Sequence, residues 1–183
     1  MSMRLTASLS PVRNDTGRVA YCGPTVLSAI TGYSVSRIEE AIRANRPDAG
    51  AADKIIQGTT AGEVGDALAV FGFSMDLVDQ FWHVERKHRP TVWSWMQLPR
   101  SAFSYYILAV HTRSEGHWIC IKGAKICDTY TKGRWVFASD GPHRGAKIME
   151  IYRVRGAEAA AVESGPRAAG TLEPRSAFMR VAA

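Results

Sequence analysis

The spacing of apolar positions changes once along the chain. Up to Gly72 it follows the helical period, and from Phe73 onward it alternates. Cys22-Gly23-Pro24 opens an apolar run with Val26, Leu27 and Ile30, and Gly32 stands where a helix would stop. Proline suits a first helical turn, because the amide it lacks would have had no partner there. Ser36-Arg37-Ile38-Glu39 reads as a capping box, followed by Ile38, Ala41 and Ile42 on one face. A second box, Thr60-Ala61-Gly62-Glu63, starts a helix carrying Val64, Ala67, Leu68 and Phe71, and Gly72 ends it. Pro47 to Gly58, rich in Ala, Gly and Asp, reads as a surface loop.

Period-two segments then predict strands at Phe73–Val78, Tyr105–His111, His117–Lys122, Ile126–Tyr130, Arg134–Ala138 and Lys147–Val154. A short helix is expected around Thr91–Leu98. Short connections make consecutive strands antiparallel neighbours. Helices first and strands second give an α+β architecture, N-terminal helices packed on a C-terminal antiparallel sheet. Three parts are expected: a lead-in over 1–13, one globular domain over 14–155, and a tail over 156–183. The tail is rich in Ala, Gly, Pro and Glu and has too few large apolar groups to order itself. Its apolar patch, Ala177-Phe178-Met179-Arg180-Val181, is a candidate docking peptide for a protein assembly partner.

Length and charge narrow the function classes. The 183 residues suffice for one domain with a full core. No stretch approaches the roughly 18–20 apolar residues that cross a bilayer, so no membrane partner is expected. The N-terminus has no apolar core of signal-peptide length, so no export signal is expected and a cytoplasmic location is. Three cysteines, Cys22, Cys120 and Cys127, are too few and too scattered for a disulfide framework. Lys and Arg number 23 against 17 acidic residues, a net +6. The one basic run, Arg86-Lys87-His88-Arg89, lacks an aromatic series around it, so no specific nucleic-acid partner is expected. There is no Gly-rich phosphate loop and no metal-binding helix motif, and no cofactor is expected.

The candidate chemistry starts at Cys22. A sulfur at a helix N-terminus meets partial positive charge, which favours the thiolate, the reactive species. His117 opens a strand after the turn Ser114-Glu115-Gly116 and titrates near neutrality, as a thiol's base must. If Gly123-Ala124 is a two-residue turn, residue 119 faces residue 128, and His117 and Asp128 become diagonal neighbours on one face. Such neighbours lie about 7–8 Å apart between backbones, within reach of an imidazole and a carboxylate. A three-residue loop would put Asp128 on the other face. A carboxylate there would hold the imidazole in the working tautomer.

Tyr21-Cys22-Gly23-Pro24-Thr25, Gly116-His117-Trp118-Ile119 and Asp128-Thr129, in that order, resemble the papain-like cysteine peptidases. The compact bacterial and bacteriophage members, including those similar to the C39 peptidases, are the nearest in pattern. The resemblance covers about residues 14–154. It implies a cysteine peptidase or amidase acting on a peptide or protein substrate, with Cys22, His117 and Asp128 as a catalytic triad. Such enzymes carry a glutamine about six residues before the cysteine, which helps bind the oxyanion. Position 16 here is Thr16, and no glutamine lies upstream. Asn14 is the substitute donor; its other role would be to shape a turn.

Alternatives stay open. The fold without the reaction would make a structural or interaction module, such as a bacteriophage virion or assembly component. The same triad would also serve acyl transfer. A zinc site built from Cys22, His117, Cys120 and Cys127 lacks a Cys-x-x-Cys pair, and strand alternation divides its ligands, so no metal is expected. Cys120 and Cys127 face each other under the two-residue register and read as buried packing. His83, His88, His111 and His143 read as surface groups, with His111 as the reserve base.

Overall fold

A computed structural model describes residues 9–19, 21–46, 56, 58–112 and 115–156. The tail with its candidate docking patch, most of the lead-in and nearly all of the 47–58 loop lie outside these residues. Three helices come first, α1 (Cys22–Thr31), α2 (Val35–Ala44) and α3 (Ala61–Val70). Strand β1 (Phe73–Gln80) and the one-turn helix α4 (Val92–Met96) follow, then β2 (Tyr105–His111), β3 (Gly116–Lys122), β4 (Lys125–Cys127), β5 (Val136–Phe137) and β6 (Lys147–Gly156).

Local signals set most element ends. Gly32 takes φ 76° and returns its N–H to the Ser28 carbonyl, closing α1 where a side chain at that backbone angle would be strained. Thr60 and Glu63 form the reciprocal capping box of α3. Thr91 and Ser94 form another at α4, a shorter helix than the 91–98 segment expected. The box expected at Ser36 does not form. Helix α2 starts earlier, with Ser34 at the cap, and Ser36 lies inside its first turn. Asp15 serves that turn instead, accepting the Ser36 N–H at 3.0 Å and its hydroxyl at 2.6 Å. Glu39, freed from capping, is buried against Arg43 and Arg18 at 3.0 and 3.5 Å.

The sheet has six strands in the order β1-β6-β2-β3-β4-β5, every pair antiparallel. The α+β arrangement expected from the sequence is the one observed. Neighbours in sequence are neighbours in space from β2 to β5. The last strand, however, returns to lie between β1 and β2, which the long 81–104 connection leaves apart. One face of the sheet carries Ile107, Ala109, Trp118, Cys120 and Tyr152 into a core with α1, α2 and α3. The other face packs Leu108, Val110, Ile119, Ile121 and Ile151 beneath α4. Eight consecutive residues of α1, Gly23 to Ile30, are buried. This helix is therefore fixed against the sheet along its length, and its N-terminus is held in place. Among the described residues no helix is long and apolar enough to cross a membrane.

Candidate active site

The β3–β4 hairpin turns through two residues. Lys122 pairs with Lys125, Ile121 with Ile126 and Cys120 with Cys127. Strand β4 then stops, because Asp128 and Thr131 bond each other in a closed turn. The Asp128 Oδ1 accepts the Thr131 N–H at 2.7 Å, and the Thr131 hydroxyl donates to the Asp128 carbonyl at 3.0 Å. Lys132 and Gly133 complete the turn at positive φ. Two consequences follow for the site. The Asp128 carboxylate is pinned and fully buried. And β3 has no β4 partner beyond Cys120, so its backbone at His117 and Trp118 is open on that side.

Cys22 reaches this open edge. It is the first residue of α1, partly buried against the helical core, while strand alternation puts His117 on the opposite face. The sulfur and the imidazole thus meet around the margin of the sheet. Burial works against a Cys22 thiolate, but hydrogen bonds from the His117 ring and from the Trp118 and Gly23 N–H groups outweigh it, and the thiol lies below its ordinary value. Burial likewise opposes a charged His117. Asp128 and Cys22 prevail, and the imidazole is raised to about 9. His117 Nε2 lies 3.1 Å from Asp128 Oδ2. With Nε2 committed to the carboxylate, Nδ1 is the ring nitrogen that serves the sulfur. Both shifts act in the same sense, each favouring the charged form of its group, a thiolate beside an imidazolium.

Asn14 serves a turn rather than the cleft. Its Nδ2 donates to the Arg18 carbonyl at 2.7 Å, its Oδ1 accepts the Thr16 N–H and hydroxyl, and it lines neither cleft at Cys22. His143 corrects the surface reading given to it. It comes in on the β5–β6 connection, mostly buried, with Nε2 4.0 Å from Asp128 Oδ2 and its ring 4.9 Å from that of His117. Burial, and then the neighbouring His117 charge, lower its pKa, so it is the neutral member of the pair. Residue 143 carried no sequence signal for this role, since the contact joins two loops. His83 and His88 are exposed, and His111, half-buried at the end of β2, lines neither cleft.

Among the described residues, one group has metal-ligand spacing: His117, Asp128 and His143, whose ligand atoms lie within 4.8 Å of one another. The cysteine-based set does not assemble, since Cys120 and Cys127 face the helical core. Both are free and buried, and burial pushes Cys127 up to about 12 and Cys120 well above its ordinary value.

Two clefts meet at Cys22 and His117. One, of about 290 Å³, runs past Thr129, Tyr130, Val19 and Glu115. The other, of about 350 Å³, runs past Trp118 and Thr59 to Trp82 and Glu150. Gly23 lets the start of α1 approach the wall of the second: a Cβ there would collide with the Thr59 side chain, and Trp118 Nε1 ties down the same segment by donating to the Thr59 carbonyl at 3.1 Å.

No family model matches the chain, and no curated protein matches it. Among solved structures it is similar to the peptidase domain of Streptococcus ComA, a bi-functional ABC transporter involved in a quorum sensing pathway. That match has 17% identity and a TM-score of 0.48, covering 79% of this chain and 97% of that one. The chain itself supplies an α+β domain in which a helix-initiating thiol, an imidazole and a buried carboxylate succeed one another where two clefts join.

Proposed function

We propose that the chain is a thiol-dependent hydrolase of the cysteine peptidase or amidase kind, cleaving an amide or isopeptide bond. The observation that carries this is the fully buried Asp128 holding His117 at 3.1 Å while the other side of the ring serves Cys22. In this reading the Cys22 sulfur attacks the carbonyl carbon and the π pair moves to oxygen. As the tetrahedral intermediate collapses, His117 gives its Nδ1 proton to the leaving amine. Water then adds to the thioester, His117 takes its proton, and the thiolate departs. The oxyanion is met by the first turn of α1. Pro24 has no N–H, Gly23 N–H serves the sulfur and Thr25 N–H bonds the Tyr21 carbonyl at 3.0 Å. The Cys22 N–H is left to receive the developing charge.

Native-state alkylation tests the reading. Iodoacetamide at neutral pH, followed by peptide mass mapping, should modify Cys22 and leave Cys120 and Cys127 untouched, and Cys22→Ala should abolish the labelling. A Cys22 that reacts no faster than glutathione would overturn it.

A further inference from the structure

Among the described residues lining the cleft that runs away from Trp118, Glu150 is the one acidic side chain. Its position follows from strand register: Trp118 pairs with Ala109, and Ala109 pairs with Glu150. Directly opposed residues share a face, so these three side chains stand in a row across β3, β2 and β6. Each step across a sheet is about 4.8 Å, which sets Glu150 about 10 Å from the strand of Trp118. A bulge opposite Ala109–Val110 adds Met149 to β6 at this point, and Met149 joins the cleft wall.

Glu150 is fixed by neutral donors. Trp82 Nε1 donates to one carboxylate oxygen at 2.6 Å and the Tyr152 hydroxyl to the other at 2.8 Å. Among the described residues no cation pairs with it. The Arg89 guanidinium lies over the Trp82 ring at 6.0 Å, and its hydrogen bonds go to the Val84 and Trp82 carbonyls. Among the described residues no lysine or arginine lines either cleft, although basic residues outnumber acidic ones 23 to 17 in the chain. Apart from the Cys22–His117 pair, the charge on the described lining of this cleft is that of Glu150.

We propose that this cleft is the subsite for a lysine or arginine side chain of the substrate, at one of the two residues on the acyl side of the scissile bond. The inference rests on Cys22 acting as nucleophile. His117 protonates the leaving amine, and the cleft beside Thr129 and Tyr130, whose Tyr130 ring packs edge-on to the imidazole at 5.1 Å, is assigned the leaving side. The Trp118 cleft takes the acyl side. Trp82, Trp118, Met149 and Ala109 cover the methylenes of a cationic side chain, and Glu150 receives its charge. A lysine reaches about 6 Å from its Cα by standard bond lengths. An ammonium–carboxylate contact adds about 2.8 Å, which spans most of the distance from Trp118 to Glu150.

The test uses peptidyl chloromethyl ketones that differ in having Lys, Leu or Glu at either of the two residues preceding the electrophile. Rates of Cys22 alkylation are read by mass spectrometry on the full chain, with iodoacetamide as reference. At one of the two positions the Lys probe should outpace the Leu probe by about tenfold or more, with the Glu probe slowest. Glu150→Gln should bring the Lys/Leu ratio toward one, and Glu150→Lys should reverse the order of Lys and Glu. Ratios taken within one variant cancel any general loss of folded protein. A Cys22 fast toward iodoacetamide but indifferent to probe charge overturns this inference alone, as does a Lys preference that survives Glu150→Gln. A Cys22 slow toward iodoacetamide overturns the hydrolase reading, and this inference with it.

Discussion

Replacing Asp128 with asparagine probes the candidate site at its most buried point. The two carboxylate oxygens have different partners, Oδ1 the Thr131 N–H at 2.7 Å and Oδ2 the His117 Nε2 at 3.1 Å. Asparagine must keep its oxygen toward Thr131, because a donor there would face a donor. Its NH₂ then points at His117 Nε2, which has to accept. The imidazolium, which needs a proton on both nitrogens, loses its acceptor. A hydrogen bond to a charged group contributes about 1.5–3 kcal/mol, which corresponds to about 10- to 100-fold in the population of the ion pair. The assay is iodoacetamide alkylation of Cys22 across the range from about pH 5 to 10, spanning the ordinary thiol value. The wild-type chain should react well below the range of a free thiol, because His117 keeps its proton up to about 9. In Asp128→Asn the rate near pH 6 should fall by about 10- to 100-fold, while the rate near pH 10, where any thiol is ionised, should change little. The alkaline rate thus reports whether the thiol remains accessible. A near-pH-6 rate within about threefold of wild type would refute the reasoning, since Asp128 would then contribute under about 0.7 kcal/mol to the imidazolium.

Gly23→Ala should cost about 1–3 kcal/mol by overpacking against Thr59 and lower the melting temperature; it should slow peptidyl probes more than iodoacetamide, since the displaced segment walls the cleft. Thr60→Ala removes the capping box of α3 and should cost about 1 kcal/mol, measured by urea unfolding. Hydrogen bonds from Ser36 lower Asp15 from 3.8 to about 2. A depressed acid stabilises the fold above its unfolded value and loses that contribution as pH falls toward about 2, so Asp15→Asn should flatten the acid limb of a melting-temperature profile.

Signals confined to a few residues were legible in the sequence. The glycine that ends α1, the Thr60–Glu63 box, the period-two strands and the two-residue turn at Gly123-Ala124 each depend on neighbours along the chain. That turn also fixes strand register, and register brings Asp128 to the face of His117, so the pair was accessible from spacing alone. Contacts between distant segments were not. The cap on α2 comes from Asp15, 21 residues before Ser36. The last strand lies between the first two, and His143 approaches Asp128 from a separate loop. Only the packed fold decided that Cys22 rounds the open edge of β3, because that edge exists only where β4 stops. Side-chain alternation and capping are short-range properties of a chain. The meeting of a helix end with a strand edge depends on how the layers pack, and no local pattern encodes it.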